Sequence, residues 1–158
     1  MFHTQKKQLI LVRHAKALEL QEFDGIDFDR PLTTRGEWSI RIVARYLRLI
    51  GVRPDKIMAS PSGRTRETAH IIASQFAEMP VEYRTDLYNG NTASSKRDAN
   101  QVHLDVVTHM KGDIHTLMIV GHNDDLTEFA QFLSWDSVPS MKKWSVVILS
   151  LPENMEWK

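Results

Sequence analysis

The chain has 158 residues, a formal net charge of zero and no cysteine. Zero net charge argues against bulk electrostatic capture of nucleic acid or of an anionic membrane, and the lack of cysteine excludes disulfides, thiolate metal sites and thiol nucleophiles. The length and a 42% share of hydrophobic residues predict a single domain over residues 1–158 with one core. No early apolar run is long enough for a signal peptide or a membrane span, so the expected location is the cytoplasm.

The first predicted element is a buried strand at residues 8–13, which carries the apolar run from Leu9 to Val12. Arg13 and His14 stand at its end. Open α/β folds bind their ligands at the carboxyl ends of parallel strands. A cation and an imidazole at that edge favour a ligand that carries phosphate.

The next segment, residues 27–36, places Arg30 in a loop just before a helix predicted over residues 35–50. Thr34 and Glu37 fit a capping box at the start of this helix. Its buried side is expected to carry Ile40, Val43, Leu47 and Ile50. Its solvated side is expected to carry Arg41, Arg45 and Arg48. Arg30 differs from these three arginines, because it lies on the side where the first strand ends.

A second predicted strand, residues 56–59, leads into the segment Ser60-Pro61-Ser62-Gly63-Arg64. Apolar residues then recur at helical spacing and predict a helix over residues 63–77. Arg64 falls in or near the first turn of that helix. Free backbone amides and the positive end of the helix dipole favour an anion there.

The remaining predicted strands are 81–83, 116–120 and 145–150, and the remaining predicted helices are 94–111 and 124–134. The strand at 116–120 is followed by Gly121-His122-Asn123, so a second strand ends in a histidine. Strands that alternate with helices predict an α/β fold with a mostly parallel sheet covered on both faces. Because parallel strands end at the same edge, His14 and His122 can converge.

Five segments occur in a characteristic order along the chain. They are Val12-Arg13-His14-Ala15-Lys16, Asp27-Phe28-Asp29-Arg30-Pro31-Leu32, Ser60-Pro61 with Arg64, Glu67 and Thr68, Leu87-Tyr88, and Val120-Gly121-His122-Asn123. Together they resemble the histidine phosphatase (phosphoglycerate mutase-like) superfamily, and in particular its small SixA-like phosphohistidine phosphatases. The resemblance spans about residues 8–150 and implies a three-layer α/β/α fold with the last strand antiparallel at an edge.

The resemblance also implies an activity and the residues that perform it. It assigns the catalytic core to Arg13, His14, Arg64 and His122, with Arg30 and Asn123 as substrate-binding residues and with no metal or other cofactor. His14 would attack phosphorus and carry the phosphoryl group. Nearby arginines should keep His14 neutral, whereas His122 is expected to be protonated and to donate a hydrogen bond. The expected function is metal-independent phosphatase activity on a phosphate-bearing substrate, in the first place protein phosphohistidine.

Three positions depart from the usual pattern of the superfamily. Asp124 stands where relatives often have proline after His122-Asn123, a change that bears on the shape of the mouth of the site. Ala15 stands where glycine is common, and the pattern asks it for backbone angles that glycine accepts more freely. Asn123 stands where some members place the acid that protonates the leaving group, and residues 86–90 offer no glutamate in its stead. No residue is therefore assigned as the general acid.

Several alternatives remain open on the sequence alone. The substrate could be a small phosphomonoester, or the chain could be a non-catalytic module that binds phosphate or docks a protein. His14, His122, Asp124 and Asp125 could hold a divalent metal, although neighbouring arginines would repel it. The segment from Leu18 to Phe28 reads as an ordinary surface loop or, alternatively, as a rim that receives a protein substrate and repels small polyanions.

Overall fold

The structure, a computed structural model, describes residues 6–88, 98–110, 113–135 and 137–151. The strands are β1 (Gln8–Arg13), β2 (Lys56–Ala59), β3 (Val81–Tyr83), β4 (Thr116–Gly121) and β5 (Val146–Ser150). The helices are α1 (Thr34–Leu49), α2 (Gly63–Ala73), α3 (Ala99–Thr108) and α4 (Asp125–Ser134). Short 3-10 turns lie at Leu20–Glu22, Asp27–Asp29 and Thr85–Leu87.

The strands form one sheet in the order β3-β2-β4-β1-β5. All neighbouring strands are parallel except β1 and β5, which pair antiparallel at the edge. The predicted α/β fold with a mostly parallel sheet and one antiparallel edge strand is therefore confirmed. Arg13 is paired with Gly121 and Ala59 with Val120, so β1, β4 and β2 end at the same level.

The neighbouring strands β1 and β4 are apolar on both faces because helices cover both sides of the sheet. Ile10 and Val12 pack in a cluster with residues of α1 and α2, whereas Leu9 and Leu11 pack in a second cluster with residues of α3 and α4. All four side chains are fully buried, and each such burial contributes about 1.5–3 kcal/mol. The carboxyl edge of the sheet, which carries the polar residues, therefore continues directly from fully buried strand residues.

Helix α1 differs from its predicted pattern at its start and on its outer face. Its N-cap is Thr33, whose Oγ1 accepts a hydrogen bond from the Gly36 amide at 3.0 Å, so the capping box predicted for Thr34 and Glu37 is wrong by one position. Ile50 lies beyond the helix and is exposed. The outer face carries the predicted arginines on one side and an exposed apolar row on the other, formed by Trp38, Ile42, Tyr46 and Leu49.

The other element boundaries agree closely with the predicted ones, with one exception. Helix α2 ends at Ala73 rather than at residue 77, and Ala77 and Glu78 adopt left-handed backbone angles with φ of 54° and 52°. Residues 94–97 and 111 of the predicted third helix lie outside the described residues. None of the helices in the described ranges has the length and apolar composition needed to cross a bilayer. The single domain over residues 1–158 stays a prediction.

Candidate active site

A cavity of about 440 Å³ opens at the carboxyl ends of β1, β2 and β4. It is lined by Arg13, His14, Ala17, Glu19, Asp27, Arg30, Arg64, Tyr88, His122, Asn123, Asp125 and Lys143. All six residues predicted for the site are among them. We call this space the site cavity.

The pairing of β1 with β4 brings the two histidines together. The His14 amide donates a hydrogen bond to the Gly121 carbonyl at 3.0 Å, which continues the strand pairing by one residue. The rings of His14 and His122 lie with their centroids 5.4 Å apart in an edge-to-face arrangement. Residues 108 positions apart in the sequence are thus neighbours at the sheet edge.

His14 is buried and is held in one tautomer. Its Nδ1 lies 2.7 Å from the Ala15 carbonyl oxygen. A carbonyl accepts but cannot donate, so the proton of a neutral ring resides on Nδ1 and Nε2 carries the free lone pair. Burial, with the positive charges of Arg64 and Arg13, lowers the pKa of His14 from 6.5 to about 4. A neutral imidazole with a free Nε2 is the form that can act as a nucleophile.

Helix α2 fixes both Arg64 and the loop that follows His14. Thr68 Oγ1 accepts from the Ala15 amide at 3.1 Å and donates to the Arg64 carbonyl at 2.7 Å. Glu67 Oε2 accepts from the Leu32 amide at 2.7 Å. Ala15 has no positive φ, so the expectation that it needs glycine-like backbone angles is wrong. The motif residues of α2 act as main-chain anchors for two loops around the site cavity.

The start of α2 also touches the loop that carries Arg30. A Cβ atom added to Gly63 would lie 2.7 Å from the Asp29 carbonyl oxygen. This separation is shorter than any normal carbon–oxygen contact, so the two backbones approach as closely as glycine allows. The main chain itself therefore sets the distance between Arg64 and the 3-10 turn at Asp27–Asp29.

The three arginines of the site cavity have different partners. Arg13 Nη1 donates to the Met141 carbonyl at 2.6 Å, and its buried Nε has no hydrogen-bond partner among the described residues. Arg30 Nη1 donates to the Leu18 carbonyl at 2.6 Å, and Asp27 binds both Arg30 and Arg64. The guanidinium groups are thus held in place by carbonyl and carboxylate oxygens at the edge of the site cavity.

The expected protonation of His122 is contradicted by its surroundings. Burial, followed by the charge of Arg64 and the nearby His14, lowers the pKa of His122 to about 3. Its Nε2 lies 2.9 Å from Ser60 Oγ, and Tyr88 packs against its ring edge-to-face. His122 is therefore neutral near pH 7, and the negative charge of an anion beside it would raise its pKa.

Asn123 lies at the site cavity, but its amide group is bound to the protein. Nδ2 donates to Asp124 Oδ1 at 2.9 Å and to Ser140 Oγ at 3.1 Å, while Oδ1 accepts from the Thr127 hydroxyl. Thr127 in turn accepts from the Met141 amide at 3.0 Å. The amide thus supports the segment that binds Arg13, and a direct role of Asn123 in substrate binding stays a prediction.

The site cavity holds further charged residues to which the sequence patterns assign no catalytic or phosphate-binding role. Asp27 lies in one of the five motif segments, and its spacing of three from Arg30 signals an ion pair. Glu19 and Lys143 form a long ion pair of 3.8 Å. Asp125 lines the site cavity, and burial raises its pKa.

The geometry does not support the alternative metal site. Among the described residues, no three His, Asp or Glu side chains are grouped so that they could hold a metal ion. Asp124, one of the four proposed ligands, is exposed and accepts a hydrogen bond from Asn123. The histidines face arginines, which repel a cation.

Comparison with known families agrees with this arrangement. The sequence profile of the histidine phosphatase superfamily (branch 1) matches residues 9–111. The chain belongs to the histidine phosphatase superfamily. The resemblance inferred from the five motifs is confirmed, since Arg13, His14, Arg64 and the segment with Arg30 all lie within the matched range, whereas His122 lies beyond it.

Individual proteins are similar to this chain over most of its length. An uncharacterized chloroplastic protein of Arabidopsis thaliana is 33% identical over 135 residues, which are 84% of this chain and 61% of that protein. The chain thus spans less than two thirds of that relative. SixA from Agrobacterium tumefaciens has a TM-score of 0.78 at 23% identity and 91% coverage of both chains. The protein histidine phosphatase SixA complexed with tungstate has a TM-score of 0.74 at 20% identity, with 92% of this chain and 89% of that chain covered.

Proposed function

We propose that this member of the histidine phosphatase superfamily is a phosphatase that works without a metal, through a phosphohistidine on His14. The observation that carries the proposal is the state of His14: its Nδ1 proton is fixed by the Ala15 carbonyl, and its free Nε2 lies in a cavity with Arg13 and Arg64. A neutral nucleophile beside fixed cations is what transfer of a negatively charged phosphoryl group requires.

The proposed reaction has two steps. First, Nε2 of His14 forms a bond to phosphorus while the bond from phosphorus to the leaving atom breaks. Second, a water oxygen attacks phosphorus, the P–N bond breaks with its electron pair returning to Nε2, and both water protons leave with the product as dihydrogen phosphate, so that neutral His14 is regenerated. The guanidinium groups of Arg13 and Arg64 stabilise the charge on the phosphoryl oxygens in both steps. An anion in the site cavity also raises the pKa of His122, so that protonated His122 donates a hydrogen bond to a phosphoryl oxygen.

The proposed substrate is a phosphohistidine in a protein. An alkoxide leaving group must be protonated as it departs, whereas an imidazole, whose conjugate acid has a pKa of about 6.5, leaves much more readily. The position after His122 carries Asn123 in place of an acid, and the Asp27 carboxylate, which binds two arginines, is ionised. The structural similarity to SixA, which is a protein histidine phosphatase, supports this substrate class.

The covalent intermediate is tested by rapid quenching with labelled substrate. The wild-type chain should yield a protein-bound phosphate that is labile in acid and stable in alkali, and His14→Ala should yield none. The same assay is run with a chelator and with added divalent ions. A label that persists in His14→Ala, or activity that a chelator abolishes and a divalent ion restores, would overturn the proposal.

The substrate class is tested by the specificity constants for a phosphorylated histidine-containing protein, an aryl phosphate and a phosphoglycerate under identical conditions. We expect the phosphohistidine protein to be turned over fastest. Fastest turnover of the phosphoglycerate would instead require a general acid. Asp125→Asn is then the first variant to examine, because burial raises the pKa of Asp125.

We propose further that residues 1–158 act as one domain in the cytoplasm. A chain without cysteine needs no oxidising compartment in order to fold. Neither nucleic acid nor membrane is expected as a partner, because the net charge is zero. Fractionation of cells that express the tagged chain tests the compartment.

A further inference from the structure

Asp27 contacts two of the three arginines of the site cavity. Its Oδ2 lies 3.0 Å from Arg64 Nη2, and its backbone oxygen accepts from Arg64 Nη1 at 2.8 Å. Its Oδ1 accepts from Arg30 Nε at 3.0 Å and from Arg30 Nη2 at 2.7 Å. One residue thus engages both Nη atoms of Arg64 and two nitrogens of Arg30.

The Asp27 side chain is an anion at neutral pH. Burial raises its pKa, but the charge of Arg64 and the hydrogen bonds and charge of Arg30 outweigh burial, and the pKa lies below its ordinary value. The side chain is 40% exposed, whereas that of Arg64 is 9% exposed. The carboxylate therefore lies between a buried guanidinium and the open site cavity, where an entering anion meets it.

A carboxylate and a phosphoryl group offer a guanidinium the same kind of partner. Each presents two oxygens that match the N–H fork of arginine. A phosphoryl group that approaches Arg64 Nη2 from the site cavity meets the Asp27 carboxylate, which already accepts from that nitrogen. The two oxyanions cannot both bind the same N–H groups, and their like charges repel each other.

We propose that Asp27 is an internal competitor for the phosphate position: its carboxylate accepts from Arg64 Nη2 and from Arg30 Nε and Nη2, and it gives up part of these contacts when a phosphoryl group binds. The proposal takes the identity of the ligand from the proposed function. Asp27 keeps the guanidinium groups oriented before the phosphoryl group binds. It also weakens the binding of free phosphate, so that the product leaves.

Asp29 provides a matched control for this competition. It carries the same charge and lies two residues away on the same 3-10 turn. Its side chain is exposed, and it makes no ion pair among the described residues. Removal of the charge at Asp29 thus shows how the general electrostatic field affects phosphate affinity. The additional change that follows removal of the charge at Asp27 shows the effect of its direct contact with the arginines.

The test is the equilibrium affinity for inorganic phosphate, measured by calorimetry in a His14→Ala background. Asp27→Asn should lower the dissociation constant at least about tenfold, since charge-assisted hydrogen bonds no longer have to be broken. Asp29→Asn should change it less than twofold, and Asp27→Glu, which restores a carboxylate, should return it to within threefold of the parent value. Equal or weaker phosphate binding by Asp27→Asn, or no binding by either protein, would overturn the proposal.

The binding experiment is separate from the test of the proposed function, because a chain without His14 cannot form the covalent intermediate. A kinetic measurement with His14 present provides a second readout. The inhibition constant of the product phosphate should fall in parallel with the dissociation constant in Asp27→Asn. If Asp27 only supported the fold, the variant would lose affinity for phosphate and its inhibition constant would rise.

Discussion

Replacement of Arg64 by alanine should reduce catalysis strongly, whereas replacement of Arg41 should have almost no effect. Arg64 lies in the first turn of α2, its side chain is 9% exposed, and both its Nη atoms point toward the site cavity, where they meet Asp27. Loss of one preorganised donor costs about 100- to 1,000-fold in kcat. We therefore expect kcat/KM to fall about 1,000-fold, which corresponds to about 4 kcal/mol.

Arg41 is the matched control, since it carries the same side chain on the neighbouring helix. Its side chain is 56% exposed, and its ion pair with Glu37 measures 3.8 Å. Exposed pairs of this kind contribute a few tenths of a kcal/mol to stability. Arg41→Ala should therefore keep kcat/KM within about twofold of the wild-type value.

The assay is steady-state hydrolysis of an aryl phosphate, combined with thermal unfolding to show that each variant is folded. The pKa of His14, followed by NMR, gives an independent readout: it should rise in Arg64→Ala, because the charge of Arg64 helps to lower it. Arg64→Lys retains the charge but loses the planar pair of N–H donors of the guanidinium group, and its activity should lie between those of Arg64→Ala and Arg41→Ala. Equal small losses in Arg64→Ala and Arg41→Ala would refute the placement of Arg64 at the phosphate.

Three further predictions concern pH and backbone anchoring. The pKa of His14 falls from 6.5 to about 4 on folding, so the unfolded chain binds an extra proton between these pH values. His14 should therefore contribute about 1.4 kcal/mol per pH unit to the fall of the free energy of unfolding as the pH drops through this range, beside a contribution of the same sign from His122. Denaturant titrations of His14→Ala should lack the His14 contribution, and an unchanged slope would contradict the burial of the ring. Gly63→Ala should reduce activity at least about tenfold, because its methyl group collides with the Asp29 carbonyl oxygen. Gly25→Ala is the control: its methyl group meets only the movable side chain of Phe23, and its activity should stay within twofold of the wild type. Equal activities of the two variants would show that the segment around Asp29 moves to accept the methyl group. Thr68→Val leaves the Ala15 amide without its partner and should lower the free energy of unfolding by about 1–3 kcal/mol. Thr108→Val loses only a bond to a carbonyl of its own helix and should cost much less in the same urea titration.

The sequence predicted the sheet and the convergence of the histidines because both depend on local patterns. Short apolar runs defined the strands, and the rule that parallel strands share a carboxyl edge placed His14 beside His122. The family resemblance added the roles of Arg13 and Arg64, which stay predictions until activity is measured. The fold prediction needed no long-range information beyond the order of the elements.

Other features depend on contacts between distant segments and were beyond reach from the sequence. The neutral state of His122 results from burial and from Arg64, neither of which the residues around position 122 reveal. The contact of Asp27 with Arg64 spans 37 positions. Ala77 and Glu78, which follow the end of α2, adopt left-handed backbone angles although neither is a glycine, so the sequence carries no signal for them.

The pairing of β1 with β4 has a consequence for the time at which the site comes into existence. These strands are neighbours in the sheet, yet α1, β2, α2, β3 and α3 all lie between them in the chain. Parallel strands that are far apart in sequence pair late, because a large loop must close first. A chain that is still being synthesised can carry His14, Arg64 and Asp27 and still lack His122 and the backbone oxygen of Gly121 that fixes the His14 amide. On the ribosome, the capacity to hold phosphate should therefore appear abruptly, when β4 enters the sheet between β1 and β2.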